Sequence, residues 1–215
     1  MTDQDLINSV TEELFWDPKV DNAAIAVSAD DGKITLRGTV GSFREKQEAK
    51  KDAARVYGVK SVNNELEVRL LDEHRREDAD LRGDVLQAFA LDYLIPASVD
   101  AKVRDGLVTL KGSVDWQYQR EEADFVAANV IGVIDVLDEI TLKAKPKAKA
   151  VKDDIRSAFE RNAALDADGL SVTTSNGTVK IKGAVNSWAE HDEAVSAAWA
   201  APGVTDVDDR ILVEY

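Results

Sequence analysis

Apolar residues recur at helical spacing at the start of three segments of the chain. In each segment they occupy positions i, i+4 and i+8, which places them along one stripe of an amphipathic helix. The three sets are Leu6, Val10 and Leu14, then Leu81, Val85 and Phe89, and finally Val151, Ile155 and Phe159. We therefore predict that each segment begins with a helix that packs on a core.

Two short stretches of alternating apolar and polar residues follow each predicted helix. The turns between them carry Asp31-Gly32, Asp105-Gly106 or Asn176-Gly177, pairs that tolerate positive φ and favour tight β-hairpins. After the turn, alternate apolar residues lie on one face of the second strand. These residues are Ile34 and Leu36, Val108 and Leu110, and Val179 and Ile181. The pattern predicts a β-hairpin in each segment.

A second helix and a closing strand complete each segment. Ser42 with Glu45, and Ser187 with Glu190, have the spacing of a helix capping box. The closing strands carry pairs of apolar residues on one face, namely Leu66 and Val68, Ile140 and Leu142, and Ile211 and Val213. The predicted unit is α-β-β-α-β, an α+β fold in which a mixed three-stranded sheet packs against two helices.

The unit is repeated three times in tandem. The hairpin sequences DGKITLRGTV, DGLVTLKGSV and NGTVKIKGAV begin at Asp31, Asp105 and Asn176, which gives offsets of 74 and then 71 residues. A second block begins at Gly58, Gly132 and Gly203 and keeps the same offsets. Because two separate blocks share one spacing, the chain is predicted to contain three repeated domains. We expect them at residues 1–71, 72–143 and 144–215.

The repeated unit resembles the BON domain (bacterial OsmY and nodulation domain). The resemblance lies in two motifs separated by a helix, the hairpin D/N-G-x-V/I-x-L-x-G-x-V and the closing segment G-V-x-x-V-x-x-x-I/L-x-V. The resemblance covers nearly the whole chain. It implies a protein that is induced by osmotic or envelope stress and that binds phospholipid or other hydrophobic surfaces. Proteins of this family are typically periplasmic or associated with the outer membrane. One cytoplasmic branch of the family, which carries a LysM domain, binds potassium. The shared motif residues are structural, so the resemblance implies no catalytic residue.

Charge and composition exclude several classes of protein. The chain has 27 Lys and Arg against 41 Asp and Glu, a net charge of −14, so nucleic acid is an unfavourable partner. It contains no cysteine, which excludes disulfides and Cys-ligated zinc. We expect no transmembrane segment, because no apolar stretch approaches about 18 residues. The opening MTDQDLINSV has no signal-peptide pattern. The expected location is cytoplasmic, or periplasmic if a signal has been removed.

The candidate catalytic residues are few. The two histidines are His74, in a charged junction, and His191, beside Asp192 on the predicted second helix of the last copy. Ser187 lies near His191, but its position as a helix cap already accounts for it. The chain also lacks the G-x-G-x-x-G and G-x-x-x-x-G-K-S/T loops that hold phosphates. We predict a protein that is not an enzyme and needs no cofactor.

Aromatic residues at the predicted helix edges are the candidate contacts for a ligand or membrane. They are Trp16, Trp116, Tyr118 and Trp188. Amphipathic aromatic side chains suit membrane interfaces and protein interfaces alike. Packing between the repeats is the structural alternative. The leading hypothesis is a stress-related binding protein for lipid or another apolar surface, and a scaffold that binds a protein partner is a further possibility.

Acidic residues at the start of the closing strands suggest an alternative function. Asp135 and Asp138 in the second copy, and Asp206 and Asp208 in the third, follow the predicted helix end. Carboxylates and exposed carbonyl oxygens that converge in this way are ligands for hard cations. The alternative hypothesis is a cytoplasmic sensor of potassium or calcium. The basic cluster Lys143–Lys149, by contrast, is typical of a solvated linker.

Overall fold

The fold repeats one order of helices and strands three times. The computed structural model describes residues 2–143, 151–161 and 169–214. In these residues the helices are α1 (Asp3–Trp16), α2 (Phe43–Arg55), α3 (Asp78–Leu91), α4 (Gln117–Ala128), α5 (Val151–Arg161) and α6 (Trp188–Trp199). The strands are β1 (Ile25–Asp30), β2 (Lys33–Val40), β3 (Ser61–Val68), β4 (Asp100–Arg104), β5 (Leu107–Val114), β6 (Asp135–Leu142), β7 (Leu170–Ser175), β8 (Thr178–Val185) and β9 (Asp206–Val213). The predicted α-β-β-α-β unit is confirmed in every copy.

Each copy contains its own three-stranded sheet, with the second strand in the middle. The orders are β1-β2-β3, β4-β5-β6 and β7-β8-β9. In the first sheet β2 pairs antiparallel with β1, with Ala29 opposite Ile34, and parallel with β3, with Ile34 opposite Val62. The third sheet repeats this arrangement, with β8 antiparallel to β7 and parallel to β9. The mixed sheet arises because a hairpin joins the first two strands and a helix crosses over to the third.

The predicted helical stripes form the cores. Eight of the nine stripe residues are buried, and the side chain of the ninth, Val151, lies outside the described residues. In the first copy, Val10 and Leu14 of α1 belong to one apolar cluster with Ile34 and Leu36 of β2 and Leu66 of β3. Helix and sheet therefore share a single core in that copy.

The hairpin turns have the predicted geometry. Asp31 and Gly32 have φ values of 46° and 79°, which are positive at both central residues, as a type I′ turn requires. Asp105 with Gly106 and Asn176 with Gly177 repeat the same signs. Such a turn matches the right-handed twist of the strands it joins, so the turn residues set the register of each hairpin.

The serine caps predicted for the second helices are confirmed, whereas the returning glutamate bonds fall one residue before the cap instead of on it. The Ser42 hydroxyl accepts a hydrogen bond from the Glu45 amide, and the Ser187 hydroxyl accepts one from the Glu190 amide. Carboxylate oxygens of Glu45 and Glu190 accept in return from the amides of Gly41 and Asn186, one residue before the serine. The serine bonds satisfy amides that would otherwise be orphaned at a helix start.

The described chain forms two compact units. Of the described residues, one unit comprises 2–112 and 121–140, and the other comprises 113–120, 141–143, 151–161 and 169–214. Among the described helices, none has the length and apolar character needed to cross a membrane. All of the predicted linker Lys143–Lys149 except Lys143 lies outside the described residues.

Candidate functional site

Two exposed aromatic side chains stand together at the end of the first helix. Trp16 is the last residue of α1 and is 71% exposed, and the neighbouring Phe15 is 66% exposed. Their ring centroids lie 5.8 Å apart in an edge-to-face arrangement, a geometry that stabilises aromatic pairs. The pair projects from the helix end instead of packing in the core, and so it is available to an external apolar partner.

The other predicted aromatic residues lie at helix starts, unlike Trp16. Trp116 directly precedes α4 and is half-buried, whereas Tyr118 on the first turn of α4 is exposed. Trp188 begins α6 and is half-buried, with its ring edge-on to His191 at a centroid distance of 4.7 Å. The assignment of these side chains to ligand binding stays a prediction.

The first compact unit carries further exposed apolar surface. Leu91 ends α3 as Trp16 ends α1, and both Leu91 and the nearby Tyr93 are exposed. A cleft of about 360 Å³ in the same unit is lined mostly by apolar residues. These include Phe43, Leu70, Leu71, Val130, Ile131 and Val133. Surface of this kind marks binding sites more often than scattered single residues do.

The predicted acidic residues lie at or near the starts of β6 and β9. Asp135 and Asp206 are exposed at the first strand position, and Asp138 accepts a hydrogen bond from the Ile140 amide. Asp208 lies 2.9 Å from both the Arg210 Nε and the Lys180 Nζ. Hydrogen bonds from Arg210 and Lys180 lower the pKa of Asp208 to about 2. Asp208 therefore already has two protein cations as partners, and its role in cation binding stays a prediction.

His191 joins two carboxylates in the third copy. Its Nε2 lies 2.8 Å from an Asp209 oxygen and its Nδ1 lies 3.0 Å from an Asp192 oxygen. The hydrogen bond to Asp192 and the charge of Asp209 raise the pKa of His191 against the opposing effect of burial. The nearby Ser187 hydroxyl accepts the Glu190 amide 3.2 Å away, as a helix cap does. The arrangement is that of a structural ion pair.

We expect the His191→Gln variant to lose a pH-dependent part of the stability of the third copy. The folded pKa of His191 lies above its unfolded value, so the imidazolium stabilises the fold fully below about pH 6.5 and progressively less as pH rises through the folded pKa. Melting temperatures measured between about pH 5 and 9 should therefore differ most between wild type and variant at the acidic end. His74→Gln is the matched control and should leave this pH dependence intact. A difference in melting temperature between wild type and His191→Gln that is the same at every pH would contradict a stabilising role for the His191 imidazolium.

A third group of charged residues, which the sequence patterns did not reveal, lies buried in the first copy. Asp17 is the C-terminal cap of α1, and Glu48 and Asp52 lie one turn apart on α2. One oxygen from each of the three carboxylates lies within 4.8 Å of the others, and all three residues are buried. The sequence signal was the i, i+4 pair Glu48 and Asp52, which borders the inward alanines Ala49 and Ala53 of the same helix.

Three basic side chains contact this carboxylate cluster of Asp17, Glu48 and Asp52. Lys19 Nζ donates to Glu48 at 3.0 Å and to Asp17 at 3.3 Å, and Arg44 pairs with the other Glu48 oxygen. Arg55 Nη2 lies 2.9 Å from Asp52 Oδ1 but does not form a hydrogen bond with it. The Arg55 Nε donates instead to Glu13 at 2.6 Å.

The pKa values of the three carboxylates are shifted in different directions. The backbone hydrogen bond from Lys19 lowers the pKa of Asp17. Burial opposes ionisation of Glu48, but the Lys19 hydrogen bond and the Arg44 charge outweigh it and lower its pKa. Burial raises the pKa of Asp52 to about 6, with Arg55 opposing the shift and the two neighbouring carboxylates adding to it. Asp52 is thus the least compensated member of the cluster.

Comparison with known protein families gives one match that recurs along the chain. The family model of the BON domain matches residues 2–69, 77–144 and 147–215. The chain is also 30% identical over 148 residues to osmotically-inducible protein Y of Escherichia coli (strain K12), covering 66% of this chain and 74% of that protein. It is 27% identical over 126 residues to an uncharacterized protein in the gshII 5′ region of Anaplasma centrale, covering 55% and 83% of the two chains.

Among solved structures, the chain is similar to the C-terminal domain of CdsD, the structural protein of the type III secretion system of Chlamydia trachomatis. That likeness covers 100% of both chains at 14% identity, with a TM-score of 0.27, which is too low to support a conclusion about fold or function. The family match instead spans nearly the whole length in three copies, each of which coincides with an α-β-β-α-β unit. The chain therefore belongs to the BON domain family.

Proposed function

We propose that this protein is a non-enzymatic component of an osmotic stress response that binds phospholipid surfaces. The stress assignment is supported by its similarity to osmotically-inducible protein Y. The exposed pair Phe15 and Trp16 at the end of α1 carries the lipid assignment. Measuring transcript level after an osmotic upshift tests the first part, and the vesicle experiment below tests the second.

Burial of the exposed pair supplies a favourable free energy of binding. A Phe or Trp side chain buries about 150–250 Å², and apolar burial contributes roughly 25 cal/mol per Å². Partial insertion of Phe15 and Trp16 into a lipid interface would therefore contribute a few kcal/mol in total. An indole is well suited to this position, because its apolar body faces the acyl region while its N–H stays hydrated.

The charge of the protein indicates which lipid surface it binds. A net charge of −14 repels an anionic leaflet, whereas a zwitterionic surface carries no such penalty. We therefore expect binding to phosphatidylcholine vesicles to be stronger than binding to phosphatidylserine vesicles, with the difference greatest at low ionic strength, where screening is weakest. The apolar cleft around Phe43, Leu71 and Ile131 provides a second place for an acyl chain in the same compact unit.

Single-tryptophan variants test the role of Trp16. One variant keeps Trp16 and replaces the other three tryptophans with Phe, and its matched control keeps only Trp199, which packs against the core of the third copy. Phosphatidylcholine vesicles should shift the Trp16 emission to shorter wavelength, because the indole leaves water. The emission of the Trp199 control should not change.

An unshifted Trp16 emission with both vesicle types would contradict lipid binding through this pair. A shift of equal size in the Trp199 control would indicate partial unfolding at the vesicle instead of specific docking. If neither vesicle binds while a purified protein partner shifts the Trp16 emission, the scaffold hypothesis replaces the lipid hypothesis.

A further inference from the structure

We propose that Asp17, Glu48 and Asp52 form a binding site for a divalent, oxygen-preferring cation, and that the Lys19 ammonium occupies this site when no cation is bound. This site is separate from the exposed aromatic pair, and the proposal does not depend on lipid binding.

The dimensions of the carboxylate cluster suit a single ion. Its three oxygens lie within 4.8 Å of one another. Calcium takes oxygen ligands at about 2.3–2.6 Å, so ligands on opposite sides of one ion are separated by about 5 Å. Carboxylate oxygens are hard ligands, which favour Ca²⁺, Mg²⁺ and Mn²⁺ over thiophilic metals.

The burial of Asp52 without a hydrogen bond from any described residue to either carboxylate oxygen is independent support for a cation site. Its side chain is 0% exposed and neither carboxylate oxygen accepts a hydrogen bond in the described part of the chain. Arg55 approaches only the Oδ1 atom, and its Nε hydrogen bond goes to Glu13. A buried carboxylate without hydrogen bonds is costly. A bound cation would be coordinated by one Asp52 oxygen and offset that cost.

Lys19 has the geometry of a displaceable substitute for the cation. Its Nζ contacts an oxygen of Glu48 and one of Asp17, two of the three proposed ligands, yet its side chain is 56% exposed. The ammonium therefore reaches the cluster from the solvent side on a flexible stem, and can turn back into water when an ion enters. Lysine and cation compete for the same oxygens.

The second copy has only two of the three carboxylates at the corresponding position. Asp92 caps α3 as Asp17 caps α1, and Glu122 is at the α4 position that matches Glu48. Val126 and Leu94 stand where the first copy has Asp52 and Lys19. Burial and the Asp92 charge and hydrogen bond raise the pKa of Glu122, as expected for a carboxyl pair without a cation. The additional acid and the lysine are thus specific to the first copy when these two are compared.

Calorimetric titration of the full chain with Ca²⁺, Mg²⁺ and Mn²⁺, after removal of metals with a chelator, tests the site. Asp52→Asn should weaken binding at least tenfold, because it removes one charged ligand. Lys19→Met should tighten binding at least tenfold, because it removes the competing ammonium. Glu122→Gln, in the corresponding position of the second copy, should leave the affinity unchanged.

Melting in chelator shows whether each variant is folded. Asp52→Asn is expected to melt at or above the wild-type temperature there, since it removes an incompletely compensated buried charge, while wild type alone gains stability when the metal is added. The proposal is overturned if wild type binds none of the three ions, if Asp52→Asn binds as tightly as wild type, or if Lys19→Met binds more weakly.

Discussion

Gly38→Ala is expected to destabilise the first copy by about 4 kcal/mol, since an unfavourable φ and an overpacked carbon each cost about 1–3 kcal/mol. Gly38 lies in β2 opposite Ile25 and has a φ of 129°, a value that side chains with a Cβ rarely adopt. An added Cβ would also collide with the backbone carbonyl oxygen of Ala24. Neither backbone can move away without breaking the β1–β2 pairing.

Gly83→Ala is the matched control and should act in the opposite direction. Gly83 is an exposed residue within α3, and beyond its chain neighbours and the adjacent backbone of the helix no atom lies within 4 Å of where its Cβ would be. Alanine is favoured over glycine in a helix by about 0.5–1 kcal/mol, so this variant should be slightly more stable than wild type.

Denaturant unfolding combined with amide hydrogen exchange separates these effects by copy. Gly38→Ala should accelerate exchange in peptides from β1 and β2, whereas Gly83→Ala should slow exchange in α3. If the amides of β1 and β2 exchange as slowly in the Gly38→Ala variant as in wild type, the backbone relaxes around the new methyl group and the predicted destabilisation is wrong.

Leu110→Ala is expected to lower the free energy of unfolding of the second copy by about 3–4 kcal/mol, the range for truncating a fully buried leucine. Leu110 is 0% exposed in β5, the middle strand of its sheet. A domain of about 70 residues has a total stability of only about 4–10 kcal/mol, so this loss would leave the second copy marginally folded. The cost combines lost apolar burial with the cavity that the surrounding side chains leave unfilled.

Leu91→Ala makes the same chemical change at the surface of the same copy. Leu91 ends α3 and is 82% exposed, so little burial is lost. We expect a change within about 0.5 kcal/mol, as for most surface substitutions. Denaturation midpoints measured together with amide exchange in β5 test both variants. Equal effects of Leu110→Ala and Leu91→Ala would contradict the described core.

Local sequence patterns predicted the fold of this protein in detail. The apolar spacing at Leu6, Val10 and Leu14 gave the first helix, and the Asp31-Gly32 pair gave the hairpin, because both signals depend on neighbouring residues. Because the same patterns recur at offsets of 74 and 71 residues, each element was predicted independently in all three copies. The cap of the second helix was also predictable, since Ser42 and Glu45 are three residues apart.

The sequence by itself therefore determined the repeat, the order of helices and strands and the family, because each of these is encoded in patterns of residues close together in the chain. Only the tertiary structure decided which polar and aromatic residues meet or remain exposed. Asp17 approaches Glu48 and Asp52 because α1 packs on α2, a contact that no local periodicity encodes. Likewise, Trp16 projects into solvent while Trp188 packs against His191, although both end or begin a helix. Burial depends on the neighbours that the whole fold supplies, and those neighbours are distant in sequence.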